Sequence, residues 1–139
     1  MNIKNISLAL GLFLASTLAS AEMVVIANPG VKISSIPHSQ ISRLFLGQSS
    51  TFPDGSRALP LDVTGDKRSV FYQEVLKKSP AQVEKYWARM IFTGKETPPR
   101  QVKGSEVRSL VAETAGAISY VDKSEVDGSV KTIAVINDN

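Results

Sequence analysis

The chain contains no cysteine and only one histidine, His38. The first absence excludes disulfides, thiol nucleophiles, iron–sulfur clusters and cysteine-ligated zinc. The second leaves no histidine cluster for a metal site. His38 lies in a polar stretch and reads as solvated rather than catalytic. A strong excess of one charge is also missing. There are 16 Lys and Arg against 13 Asp and Glu, a formal charge of +3, and the two signs are interspersed. A nucleic-acid binder concentrates basic residues on one face or stripe, and no such stripe is present. The mild positive balance is compatible with a small anionic ligand. No apolar run reaches the roughly 20 residues that a membrane-spanning helix needs.

The first apolar run has a different meaning. Lys4 gives a weakly positive start, Ile6 to Leu18 is almost uninterruptedly apolar, and Ala19-Ser20-Ala21 is a small-residue cleavage signal. This is the layout of a secretory signal peptide over residues 1–21. The expectation is cleavage after Ala21, export to the periplasm, no lipid anchor, since no cysteine is near the cleavage site, and no stable membrane insertion afterwards. Residues 22–139 suit one compact domain.

Within that domain, Met23 to Ala27 is a β-branched apolar run closed by Asn28-Pro29-Gly30, a buried strand and a turn. A helix starts near Pro37, with Ile41, Leu44 and Phe45 on one face and Gly47 placed to end it. A polar loop around Pro53-Asp54-Gly55 leads to a short strand, Leu59 to Val63. Thr64-Gly65-Asp66 follows, then a helix from about Lys67 to Lys78 with Val70, Phe71 and Val75 inward. Ser79-Pro80-Ala81-Gln82 is a capping box with proline in the first turn. Val83, Tyr86, Trp87, Met90 and Ile91 continue it at helical spacing, up to Gly94 and Pro98-Pro99. Ser105 is placed to cap a last helix bearing Val107, Leu110 and Val111. Ala117 to Val121 and Thr132 to Ile136 read as strands, and Arg100 and Lys103 as surface charge. The order is β-α-β-α-α-α-β-β, which favours a mostly parallel mixed sheet flanked by helices. The expected core is Val24, Ile26, Ile41, Leu44, Phe45, Phe71, Trp87, Ile91, Leu110, Val111, Ile118 and Val121.

Chemistry is best placed at the strand-to-helix loop from Asp62 to Ser69. A helix N-terminus offers unpaired N–H groups and partial positive charge to an anion. Gly65 permits close approach, Thr64 and Ser69 carry hydroxyls, and Lys67 and Arg68 carry charge, with Arg68 offering a planar fork. The plain alternative is a capped helix with Thr64 or Asp66 as cap and the basic pair in water. No acid–base pair, nucleophile elbow or metal cluster can be named, so no enzyme activity, catalytic residue or cofactor is expected.

Four segments in order carry a family resemblance: Ile41 to Gly47, Leu61 to Asp66, Tyr86 to Lys95 and Gly116 to Val121. Together they resemble one lobe of the periplasmic phosphate-binding protein of the phosphate ABC transporter, in the form of its short single-lobe relatives. The likeness spans Val24 to about Val121. It implies a single periplasmic-binding-protein-like lobe of α/β class, with phosphate or a related oxyanion held by Thr64, Gly65, Lys67, Arg68 and Ser69. It further implies an ABC transporter or an envelope sensor protein as partner. The family's Ser-Gly-Thr run is replaced here by Gly65-Asp66-Lys67, and Ser119 replaces a glycine of the family's Gly-Ala-Ile-Gly-Tyr-Val strand. A second reading stays open: a periplasmic protein–protein interaction module that has kept the fold without the ligand.

Overall fold

The computed structural model describes residues 22–137, and the expected signal peptide, residues 1–21, lies outside them. The strands are β1 (Met23–Ala27), β2 (Leu59–Thr64), β3 (Arg100–Lys103), β4 (Ala117–Asp122) and β5 (Lys131–Val135). The helices are α1 (His38–Phe45), α2 (Asp66–Phe71), α3 (Pro80–Phe92) and α4 (Val107–Glu113). One five-stranded sheet has the order β3-β2-β4-β1-β5. The α/β lobe with a mixed sheet flanked by helices is therefore present.

The balance of strand directions differs from expectation. β2 pairs in parallel with β3 and β4, whereas β1 is antiparallel to both β4 and β5. Parallel pairing does not predominate. The alternation of strands and helices suggests crossover connections throughout. Here β4 leads toward β5 through only a 3₁₀ turn (Lys123–Glu125) and a short loop. β1 lies between these two strands and runs against them.

β1 is buried at all five residues, and β4 from Ala117 to Val121. A strand buried at every position is covered on both faces. The aromatic centre stands on β4: Tyr120 stacks on Phe71 at 4.0 Å between centroids, and Phe71 meets Phe45 of α1 edge-on at 4.8 Å. Such pairs add to simple area burial. Helix α4 packs on β4 and β1, and Asn28 after β1 donates to the carbonyls of Val111 and Ala112 at 2.9 and 3.0 Å.

Several local readings differ from the structure. Arg100 and Lys103 are exposed, in line with the surface charge read from sequence, but they bound a strand, β3, that the sequence reading did not contain; only Val102 of its four residues is buried, so it carries almost no hydrophobic signal. Charged residues are usual on an edge strand. Helix α2 does not run evenly to Lys78. It passes at Tyr72–Leu76 into a π-turn closed by Lys77 in the left-handed region, φ 57°. Val70, on α2 ahead of the turn, is exposed, while Tyr72 at its start is buried. Ser105 does not cap α4, whose N-cap is Glu106 without a side-chain bond. The capping box of α3 is formed, with Ser79 Oγ accepting from the Gln82 amide at 3.2 Å and Gln82 Oε1 from the Ser79 amide at 2.8 Å. Of the expected core, Leu110 is only partly buried and Ile91 is 54% exposed. Helix α3 is held through Val83 and Trp87, and its last turn extends past that support, so Phe92 is 92% exposed.

Two substitutions in α3 probe this arrangement by urea or thermal unfolding. Trp87→Ala should cost about 3–5 kcal/mol, as for a buried aromatic side chain, while Phe92→Ser should stay within about 0.5 kcal/mol of the parent. Gly116→Ala should cost more than about 1 kcal/mol. Gly116 has φ 75°, and an added Cβ would lie 2.5 Å from the Arg57 carbonyl oxygen. Its own carbonyl accepts from Leu59 at 2.9 Å, where β2 and β4 begin to pair.

Candidate functional site

Strand β2 delivers the candidate loop. Leu61, Asp62 and Val63 are buried, and the chain emerges at Thr64. Thr64 Oγ1 donates to the Val102 carbonyl at 3.4 Å and caps nothing. Gly65 precedes α2 with φ 110° and ψ −167°, a conformation that favours glycine, and there is no side-chain cap at this terminus. An added Cβ at Gly65 would meet nothing within 4 Å, so the constraint lies in the backbone and the space is open. Neither Thr64 nor Asp66 acts as the cap of the plain alternative.

The five predicted residues are close in sequence but do not converge. Thr64, Gly65 and Ser69 are exposed. Lys67 turns to the end of β4, where Nζ lies 2.6 Å from Asp122 Oδ2 and 3.3 Å from Glu125 Oε1. Burial, the largest single influence on this ammonium, pulls its pKa down; hydrogen bonds and charge from the two acids outweigh it and hold it above its ordinary value. Arg68 goes the other way. Its Cζ sits 5.8 Å from the centre of the Tyr72 ring. Among the described residues, its guanidinium is in none of the ion pairs.

Beneath Arg68 is a group of residues that periodicity does not reveal. Asp62 is 5% exposed. Its carboxyl accepts from the Tyr72 hydroxyl, from the Tyr120 hydroxyl at 2.5 Å and from the Val63 amide at 3.0 Å. A buried charge needs such donors. The same tie joins β2, β4 and the π-turn. Burial first, then the hydrogen bond and charge of Asp62, push the Tyr72 phenol far above its ordinary range, with Arg68 pulling weakly the other way. Burial and then the charge and hydrogen bond of Asp62 do the same to Tyr120. Beside this group, Ser119 is fully buried and donates to the Leu61 carbonyl at 2.7 Å, which gives the serine in that strand a structural use.

Two cavities flank Trp87. The larger, about 700 Å³, lies at the start of β2 and is lined by Ser49, Thr51, Leu59, Glu96 and Arg100 among others. The other, about 550 Å³, lies between the α2–π segment and α3, with Asp62, Arg68, Tyr72, Val83, Trp87 and Ile91 in its lining. In open α/β sheets, ligands bind outside the carboxyl ends of the parallel strands. By that rule the second cavity, which reaches Arg68 of α2, is preferred to the larger one at the start of β2, although none of Thr64, Gly65, Lys67 and Ser69 lines it. Among the described residues, no group of three or more His, Cys, Asp and Glu is placed to hold a metal ion.

No protein-family model matches the sequence, and no curated protein matches it. Solved structures do. A phosphate ABC transporter substrate-binding protein from Clostridium perfringens, solved with bound phosphate, superposes with a TM-score of 0.64 at 16% identity, covering 81% of this chain and 44% of that one. An ABC-type phosphate transport receptor from Vibrio cholerae gives 0.62 at 15% identity, over 81% and 45%. PstS from Borrelia burgdorferi gives 0.62 at 13% identity, over 81% and 46%. The fold is periplasmic-binding-protein-like. The resemblance read from the four sequence segments thus reappears in three dimensions, and the chain spans under half the length of each of these proteins. Among the described residues, no helix is long and apolar enough to cross a membrane.

The tyrosines generate a pH prediction. Their folded pKa values lie above the ordinary value of 10, so the folded state keeps protons that the unfolded chain releases. The associated stability is complete below pH 10 and is lost as pH rises beyond it. Urea midpoints measured from pH 8 to pH 11 should be level up to about 10 and then fall. Tyr120→Phe should cost about 2–3 kcal/mol at neutral pH, because Asp62 loses a donor, and should make the alkaline fall shallower.

Proposed function

We propose that this chain is a periplasmic recognition protein that binds phosphate or a related oxyanion at the carboxyl end of β2. The observation that carries the reading is the superposition on phosphate-binding transport proteins over 81% of the chain. The candidate residues are the exposed turn of Thr64, Gly65 and Ser69 together with Arg68, with Lys67 turned away toward its two acids. Arg68 is the anchor, because its planar fork has no acid partner among the described residues and can make two parallel bonds to one oxyanion. Lys67 is already held by two acids and supplies background charge rather than a direct bond. The neighbouring structures are transport substrate-binding proteins, which supports recognition without catalysis. A transporter component or an envelope sensor is the partner this reading implies.

Thr64, Gly65 and Ser69 are exposed to water, where charge-assisted bonds are weak compared with those in an enclosed site. Calorimetric titration with phosphate should therefore show weak, millimolar-range binding that weakens further as salt is raised. Arg68→Ala should reduce it by about 1.5–3 kcal/mol with little change in stability. A neutral sugar should give no heat. A flat phosphate and sulfate titration would contradict the reading.

The rival, an interaction module without a ligand, draws support from one observation. Ile91 and Phe92 are exposed together at the end of α3. It predicts flat oxyanion titrations and partner binding that Phe92→Ser abolishes.

A further inference from the structure

The cavity between the α2–π segment and α3 has a polar corner and an apolar body. Arg68 and the Tyr72 ring form the corner; Val83, Trp87, Ile91 and the Pro98-Pro99 pair supply the apolar surface. A site built only for a small inorganic anion has no use for this surface, because such an ion is ringed by polar groups. At about 550 Å³ the space is of the size that small organic ligands occupy.

The charges narrow the class further. Asp62 also borders the cavity, and its oxygens are already taken by Tyr72, Tyr120 and the Val63 amide. It therefore offers no free acceptor to a ligand cation but adds negative charge behind Arg68. Glu84 adds a second, exposed carboxylate at the rim. Glu84 is exposed and screened by water, so Arg68 and Asp62 are the charges that count; they roughly cancel, which disfavours a dianion more than a single negative charge. A carboxylate meets those terms and matches the guanidinium fork in two parallel bonds.

We infer that this cavity binds a small organic carboxylate, its head on Arg68 and a compact aromatic or branched apolar body against Trp87 and Ile91. The inference rests on the oxyanion reading and narrows it to a ligand class.

Trp87 is the chain's only tryptophan and lines the cavity, so its fluorescence reports occupancy. The probes are benzoate, its neutral analogue benzyl alcohol and inorganic phosphate, each titrated into the mature protein and followed by both emission and calorimetry. Benzoate should change the emission saturably. Benzyl alcohol should bind at least about tenfold more weakly, as should benzoate to Arg68→Gln, the scale of losing a charge-assisted bond. Arg68→Gln replaces a side chain with no ion-pair partner among the described residues, and its circular dichroism should match the parent's. Ile91→Asn, at an exposed position and without added charge, should weaken benzoate while leaving phosphate heats unchanged. Equal binding of benzoate and benzyl alcohol would reduce the site to a nonspecific apolar groove and overturn the inference. So would unchanged benzoate affinity in Arg68→Gln. Phosphate heats with no benzoate response would overturn it while leaving the oxyanion reading in place. Silence toward all three probes would overturn both.

Discussion

The arrangement depends on one buried acid. Asp62 sits in the middle strand of the parallel half of the sheet, and a carboxyl group there is costly unless its oxygens are satisfied. Two tyrosines and a backbone amide satisfy it. Tyr120 comes from the neighbouring strand and Tyr72 from the π-turn after α2, so a single side chain fixes the helix to the sheet. The consequences extend outward. Tyr72, the first residue of the π-turn, points inward and is buried. Its ring then supports Arg68, and the cation faces the cavity shared with α3 instead of lying free in solvent.

This separates two basic residues that are neighbours in sequence. Lys67 is drawn to Asp122 and Glu125 at the end of β4, and Arg68 to the opposite side over Tyr72. Successive helical positions do not share a face, so a cradle using both side chains at once is not what the loop presents. The loop offers an open glycine turn with one available guanidinium. Under the proposed reading, a single fork backed by the charge of a buried acid would discriminate among anions by charge and shape more than by total positive field.

Much of the architecture was legible because it is written in local chemistry. The five-residue apolar run of β1, the Ser79–Gln82 capping box and the glycine ahead of β4 each specify their element within a few residues. β3 was not legible, since Val102 alone is buried in it and the strand is defined by its pairing with β2. The exposure of Ile91 was hidden for a related reason: helical spacing says which residues share a face, not where the supporting sheet ends. The candidate loop could be located from its strand–glycine–helix pattern. The knot below it could not, because Asp62 and Tyr72 are ten residues apart and Asp62 and Tyr120 fifty-eight apart. An acid inside an otherwise apolar strand was the one available signal, and it pointed to a buried partner without naming it.

The central claim is that recognition takes place at the carboxyl end of β2, above the Asp62 knot. Amide chemical-shift mapping during titration with phosphate and with benzoate tests it most directly. The account predicts shifts in the Thr64–Tyr72 segment with both ligands, joined with benzoate by the Trp87 indole and the Val83–Ile91 face of α3, with β1 and β5 unmoved. Shifts centred on Ser49–Thr51 and Glu96–Arg100, around the cavity at the start of β2, or no shifts with either ligand, would contradict it.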